Sequence, residues 1–381
     1  MKPIVYMRVV DWHSSDTKEN FFANPFVQIL SQKYDVRYSE DPEFLLYGPF
    51  GFTHLRYECV RIFFTGENVR TNWNVADYGI DFDYMDFGDR HLRLPLDFLP
   101  APHVQELYKQ SQIRCTLPPP LDRQKFCAFM ATNGGGEHTK IRDDFFEILN
   151  AYKRVDSGGR WKNNIGGPIG DRYANFRDSK LKWLRNYRFH ICFENSSYPG
   201  YLTEKLFDAY AAGCIPIYWG DTSLCENVVR ESSGCSTTSS ETIQATIAHI
   251  SPHLREYTIN PKAFVNAHNF ATFQDLAQEV IRIDSDPKRY QEMYFQPIFV
   301  GDFDPYTYYK TKLEVFLDSI VSQGAKAALR RGDGVHMKRH NRMLIKGSDP
   351  LRAIKMGAHR EISKAIQKCK RYFVSKSKEN V

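Results

Sequence analysis

No stretch of this chain approaches the roughly 18 consecutive apolar residues that a membrane-spanning helix requires, so no span is expected within it. The opening residues MKPIVYMRVVDW are too short and too charged for a secretory signal and read as a first strand. Cysteine is scarce, with eight residues in 381 and no CxxC pair among their spacings. Cys192 and Cys214 lie in or beside apolar runs, where buried reduced thiols are the plain reading. No internal repeat is present, which excludes a solenoid or a propeller array.

The remaining composition is that of a soluble globular chain, 42% hydrophobic and 25% charged, and long enough for two domains with separate cores. Aromatic content is high at 14%, which serves large cores and also sugar or base stacking. Charge is uneven. Residues 326–381 hold 16 Lys and Arg against 4 Asp and Glu, a net +12, whereas the rest of the chain is −6. Within this tail Leu351, Ile354, Ala358, Ile362, Ala365, Ile366, Cys369 and Phe373 recur near helical spacing among Lys and Arg. A basic amphipathic helix of this kind suits an anionic membrane surface. A solvated tail or a nucleic-acid contact are the alternatives, and the acidic remainder argues against nucleic acid.

The first 120 residues alternate short apolar runs with polar turns: IVYMRVV at 4–10, a helical pattern near 21–32, FLLYG at 44–48 and RIFFTG at 61–66. This is the βα rhythm of a doubly wound domain. Pro118-Pro119-Pro120 marks a linker, and a second βα series opens with FCAFMAT at 126–132. The expected division is therefore 1–120, 121–325 and a tail at 326–381. In the second series Asn133-Gly134-Gly135-Gly136 precedes a helix from about Thr139, whose apolar stripe is Ile141, Phe145, Ile148, Leu149 and Tyr152. Arg142 lies off the stripe. A glycine-rich strand-to-helix loop beside an Arg suits a phosphate, although three glycines also make an ordinary turn. The glycine-rich 153–171 reads as loops, and helices are expected at 239–250, 272–283, 286–294 and 305–323.

The segment FENSSYPGYLTEKLFDAYAAGCIPIYWGD, 193–221, carries the most information. It reads as a buried strand, a polar loop, a helix opening near Thr203 with Glu204 and Lys205 in its first turn, and a second buried strand. A Lys in a first turn opposes the helix dipole, and an anionic ligand would explain it. Ligands of open parallel sheets bind outside the carboxyl ends of the strands, where this polar loop falls. Glu67-Asn68 likewise emerges at the carboxyl end of the 61–66 strand. Glu67 alone reads as a solvated loop acid.

This signature resembles the donor-binding motif of glycosyltransferase family ten, the α-1,3/4-fucosyltransferases, and most closely its bacterial members. The likeness runs from about Asp11 to about Leu317. It implies an α/β fold of GT-B architecture, two Rossmann-like domains facing a central cleft, with the basic helical tail appended. It implies inverting transfer of L-fucose from GDP-fucose to O3 of an N-acetylglucosamine in a lactosamine-type glycan. Another nucleotide sugar, or an O-antigen or lipo-oligosaccharide acceptor, is the alternative within the same chemistry, and a non-catalytic carbohydrate-binding protein on this scaffold is the alternative outside it.

Such a reaction needs a carboxylate to take the acceptor's proton and cations to balance the departing diphosphate. The TGEN segment matches the family stretch holding the proposed base, which falls on Glu67. Asp77, Asp81, Asp83, Asp86 and Asp89 follow it, and one of these could position the acceptor or replace Glu67. Arg142 and Lys205 match positions that contact GDP-fucose, as do Asn195, Tyr201 and Glu204. Glu204 would either accept ribose hydroxyls or stabilise positive charge on the fucosyl ring. Asp81-Phe82-Asp83 and Asp302-Phe303-Asp304 have a DxD form, but strand alternation explains the first, and GT-B enzymes use protein cations instead. No obligatory metal or other cofactor is expected. Animal and plant relatives carry a Golgi anchor, so a bacterial, cytoplasmic enzyme is expected, with a peripheral place on the inner face of the membrane. The match of Asn195-Ser196-Ser197 to a glycosylation acceptor is then accidental.

Overall fold

The computed structural model describes residues 1–114, 116, 125–136, 139–170, 176–224, 259–301, 303–332 and 334–347. The Pro118–Pro120 linker, the 239–250 helix, Asp302 and the amphipathic stretch 351–373 lie outside them. Two compact units emerge. The first comprises Met1–Phe64, Asn72–Gly79 and Ile320–Val381, and the second comprises Thr65–Thr71 and Ile80–Ser319.

The first unit begins with β1 (Ile4–Val10), two helices α1 (Lys18–Ala23) and α2 (Pro25–Lys33), and then β2 (Asp35–Tyr38), β3 (Phe44–Tyr47) and β4 (Val60–Phe64). The single helical pattern near 21–32 is thus two helices. Asn24 ends α1 and caps α2, its Oδ1 accepting from the Phe26 N–H at 3.0 Å, with Pro25 at the first position. Strands β5 (Tyr78–Asp81) and β6 (His91–Arg93) follow, and the first sheet has the order β2-β1-β3-β4-β5-β6. Its β1–β2, β1–β3 and β3–β4 pairs are parallel. Strands β3 and β4 are buried at every position, as expected where both faces of a parallel sheet are covered. β5 is likewise buried throughout, and Asp81 and Asp83 are both buried. Strand alternation therefore does not explain that DxD pair.

The second unit continues with α3 (Pro102–Arg114), β7 (Lys125–Phe129), α4 (Lys140–Tyr152), β8 (Val155–Ser157), α5 (Phe176–Leu184), β9 (Tyr187–Ile191), α6 (Glu204–Ala211) and β10 (Ile215–Tyr218). After the undescribed 225–258 come β11 (Val265–Asn266), α7 (Phe273–Ser285), α8 (Pro287–Tyr294) and α9 (Pro305–Ser322). Its parallel sheet runs β11-β10-β9-β7-β8. On α4 the buried residues are Phe145, Phe146 and Leu149, with Ile141 and Ile148 partly buried and Tyr152 53% exposed. The expected stripe is thus broader and shorter. Phe146 packs on Phe129 with ring centroids 5.0 Å apart, whereas Tyr152 falls in the last turn.

The first unit is closed by the chain's late residues, which include α10 (Ala325–Ala328) and α11 (Val335–Gly347). Asp77 has no exposed side-chain surface, and its Oδ1 accepts from the backbone N–H of both Arg330 and Arg331 at 2.8 Å. Its Oδ2 accepts from the Arg61 N–H at 2.8 Å and pairs with the Arg331 guanidinium. Removing one member of a buried, fully bonded charge pair leaves the other unpaired in a low-dielectric interior, at a cost of about 3–5 kcal/mol. Asp77→Ala is expected to lose about that much in denaturant unfolding monitored by circular dichroism.

Candidate active site

A cavity of about 400 Å³ opens in the second unit, within the size range of small-ligand sites. Its lining includes the residues that follow the carboxyl ends of the adjacent parallel strands β7 and β9, Met130–Asn133 on one and Cys192, Phe193 and Asn195 on the other. Its walls include Arg142 of α4 and Glu204 and Lys205 in the first turn of α6, and Glu67 lies at its edge. All six residues singled out from sequence, Glu67, Arg142, Asn195, Tyr201, Glu204 and Lys205, line this one cavity. Asp77, Asp81, Asp83, Asp86 and Asp89 are not among its lining residues.

The Arg142 guanidinium donates from Nη1 to Asn195 Oδ1 at 3.1 Å and from Nη2 to the Asn133 carbonyl at 3.3 Å. Its Nε is buried with no partner among the described residues. A buried, unsatisfied donor on a cation is costly, and an oxyanion is the natural acceptor for it. Burial also pulls the guanidinium pKa below its ordinary value, opposed by Asp143 and Glu194. The glycine-rich loop beside it has a packing reason. A Cβ on Gly134 would lie 2.0 Å from Trp161 Nε1, and one on Gly135 would lie 2.8 Å from the same ring. Asp143 fastens the stack, accepting from Trp161 Nε1 at 2.7 Å and from the Gly135 N–H at 2.9 Å.

Lys205 has a resident partner that the sequence reading missed. Its Nζ donates to Glu194 Oε2 at 2.9 Å and to Thr203 Oγ1 at 2.9 Å, and stands 3.6 Å from Glu204. The Glu194 side chain has no exposed surface, and its Oε1 also accepts the Thr203 N–H at 2.8 Å. Burial raises the Glu194 pKa, opposed chiefly by Lys205. Burial lowers that of Lys205, but Glu194 and Glu204 more than reverse this and push it up. Glu204 is held at about 2: burial raises it, and Lys205 and Lys180 overcome that. An acidic residue closing the apolar run before Asn195 was the available sequence signal for Glu194. Tyr201 is buried with its ring 5.2 Å from that of Phe82.

Glu67 is exposed, and its carboxylate has no hydrogen bond or ion pair among the described residues. Its loop is nevertheless fixed. Thr65 Oγ1 accepts from the Glu67 N–H at 2.9 Å, Asn68 Nδ2 donates to Ser196 Oγ at 2.6 Å, and Arg70 pairs with Asp83 at 2.7 Å. The Arg70 guanidinium lies 4.0 Å from the Tyr198 ring centroid. Asp81 accepts from the Thr71 N–H at 3.0 Å and meets His91 Nε2 at 2.9 Å. The carboxylates of the first DxD pair are thus engaged in tying this loop down. Among the described residues no group of three or more His, Cys, Asp or Glu is arranged to hold a metal ion.

His190 lines the cavity and is buried, its pKa lowered to about 3 by burial and by Lys180. His268 stacks on Trp219 at 5.7 Å, and burial lowers its pKa to about 4. Both are neutral when folded, and the unfolded chain binds their protons first, near pH 6.5. Their stability contribution is therefore complete above pH 6.5 and lost as pH falls towards about 3 for His190 and about 4 for His268. Each is expected to add up to about 1.4 kcal/mol of destabilisation per pH unit within that window. His190→Asn should remove one such share from the slope of unfolding free energy between pH 6 and 4.

Two family models match the chain: "Alpha-(1,3)-fucosyltransferase FucT N-terminal domain" over residues 7–99 and "Glycosyltransferase family 10 (fucosyltransferase) C-term" over 121–255. The alpha-(1,3)-fucosyltransferase FucT of Helicobacter pylori is 29% identical over 343 residues, 80% of this chain and 63% of that protein. The human 4-galactosyl-N-acetylglucosaminide 3-alpha-L-fucosyltransferase FUT6 is 26% identical over 45% of this chain and 38% of its own length. The chain thus spans less than two thirds of these relatives. A crystal structure of an α1,3-fucosyltransferase with GDP superposes with a TM-score of 0.63 at 25% identity, covering 87% of this chain and 94% of the other.

Proposed function

Because this chain belongs to glycosyltransferase family 10, the fucosyltransferases, with the α/β fold of its GT-B structures, we propose that it transfers L-fucose from GDP-fucose to O3 of an N-acetylglucosamine in a lactosamine-type glycan. The observation that carries this reading is the one cavity lined by Arg142 and Lys205, in the first turns of α4 and α6, together with Glu67. Arg142 and Lys205 bind the diphosphate, Arg142 through its fork and its unpartnered Nε, Lys205 through a point charge. Asn195 orients Arg142, and Tyr201 packs beneath the donor. Glu204, ionised at any working pH, faces the ribose hydroxyls or the positive charge that develops on the sugar ring.

The reaction follows from these placements. The acceptor O3 attacks the fucosyl anomeric carbon from the face opposite the diphosphate, inverting it. Its proton passes to the Glu67 carboxylate as the new C–O bond forms. The bond from the anomeric carbon to the phosphate oxygen breaks, and its electron pair leaves with GDP, balanced by Arg142 and Lys205. No metal takes part in this scheme. Activity that EDTA abolishes and manganese restores would overturn that point.

We also propose a cytoplasmic enzyme, peripheral on the inner face of the membrane. What supports this is the basic tail and, within the described residues, α11, where Lys338, Arg339, Arg342 and Lys346 are exposed with Val335 and Met343 and no acid. Sedimentation with phosphatidylglycerol vesicles but not phosphatidylcholine vesicles is the expected result, reversed by salt.

The central test is GDP release from GDP-fucose with and without N-acetyllactosamine. Release is expected to depend on the acceptor and to fall about 10²–10⁴-fold in Glu67→Ala while GDP affinity is unchanged. Acceptor-independent release in the wild type would leave the donor and remove the acceptor. GDP bound without turnover would favour a binding protein, and preference for GDP-mannose would move the donor assignment.

A further inference from the structure

Lys205 is a charge in a place where a charge is expensive. It lies in the first turn of a helix, where the dipole opposes a cation, and is only 21% exposed at the side chain. An ammonium so placed either loses its proton or is held by a counter-ion. Two of its three donors are already committed, to Glu194 Oε2 and Thr203 Oγ1, both at 2.9 Å. Thr203 Oγ1 in turn lies 2.9 and 2.7 Å from the two Glu194 oxygens. Glu194 is itself anchored by its N–H to the Trp219 carbonyl at 2.8 Å, which ties it to the strand end after β10. Gly220 leaves the room it needs, since a Cβ there would stand 2.4 Å from Glu194 Cγ.

We infer that Glu194 is a positioning residue of the nucleotide site, acting through Lys205: its buried carboxylate keeps the ammonium charged and fixes it so that one donor remains for a phosphate oxygen of the ligand. The ligand part of this inference rests on the GDP-fucose reading; the Glu194–Lys205 part rests on geometry alone. The groups acting on Lys205 are Glu194 after β9, Glu204 on its own helix and Tyr201 in the preceding loop, with Cys192 also beside it, and Lys180 on α5 and Arg142 on α4 line the same cavity. Of these only Glu194 and Glu204 are acids, and Glu204, at 3.6 Å, forms no hydrogen bond with the ammonium. Loss of the Glu194 charge therefore removes the stronger of the two opposing carboxylates and leaves burial, with Glu204 alone against it, to release the Lys205 proton at lower pH.

The experiment is acylation of Lys205 as a function of pH in the ligand-free protein, read by peptide mass spectrometry against an exposed lysine such as Lys288. Wild-type Lys205 is expected to titrate above Lys288, and in Glu194→Gln its midpoint should fall by about one pH unit or more. A structural role alone would lower the unfolding temperature and leave the midpoint in place. In parallel, the alkaline loss of GDP affinity should begin at lower pH in Glu194→Gln and disappear in Lys205→Arg, whose guanidinium stays charged. A wild-type midpoint at or below that of Lys288, or no shift in Glu194→Gln, would overturn the inference. If Glu194→Gln does not fold, the wild-type midpoint decides. If the labelling behaves as expected but GDP does not bind, the nucleotide reading fails and the coupling of Glu194 to Lys205 stands.

Discussion

A carboxylate with no exposed surface must be satisfied where it sits, and Glu194 imposes that requirement on the whole signature segment. Its oxygens accept the N–H and hydroxyl of Thr203 and the ammonium of Lys205, so a residue just beyond β9 also sets where α6 begins. The usual order of helix capping is inverted here. Thr203 stands at the N-cap of α6 with no cap hydrogen bond from its own side chain, because that hydroxyl is turned to the buried acid. The helix start and its cation are thus registered to the strand by one side chain, and the part of the cavity that Lys205 lines inherits that precision.

The opposite wall is built on a different principle. Around Arg142 the chain uses close packing: two glycines lie against the indole of Trp161, and Asp143 bonds the indole and the loop together. Asp143 follows Arg142 directly in the helix, so the anchor of the loop and the cation of the site share one turn. The glycines therefore fix the loop, where a glycine run in isolation would suggest freedom. One wall is set by buried charge and the other by shape.

Much of this was legible before any coordinates. The βα rhythm and the strand–loop–helix reading of 193–221 place polar residues at strand ends, and the six chosen residues do line one cavity. What was hidden has physical causes. Glu194 is an acid at the close of an apolar run, and only its burial shows that it must be paired. Lys205 stands in the first turn of α6, but its resident partner lies eleven residues earlier, off any helical spacing. Trp161 and Asp143 meet across eighteen residues, from the first turn of α4 to the loop after β8, a separation that no helical or strand spacing connects. Tyr152 continues the stripe in spacing and leaves it in space, because a stripe says nothing about where a helix outruns its cover. The Asp81 and Asp83 pair looked like an alternating strand and is a buried tie for the Glu67 loop.

The first unit is discontinuous, taking in Met1–Phe64, Asn72–Gly79 and then nothing until Ile320. Asp77 waits in its interior for the backbone of Arg330 and Arg331. On the ribosome the order of assembly follows from that. The parallel strands near the amino terminus emerge first, yet the groups that neutralise their buried acid are made some 250 residues later. At elongation rates of roughly 5–20 residues per second, that interval lasts on the order of ten seconds or more. The second unit, contiguous from Ile80 to Ser319, is complete before the first can close. A nascent chain therefore carries the 1–64 and 72–79 part of its first unit without the groups that neutralise Asp77 until Arg330 and Arg331 are made, and a stop near residue 320 removes those groups altogether.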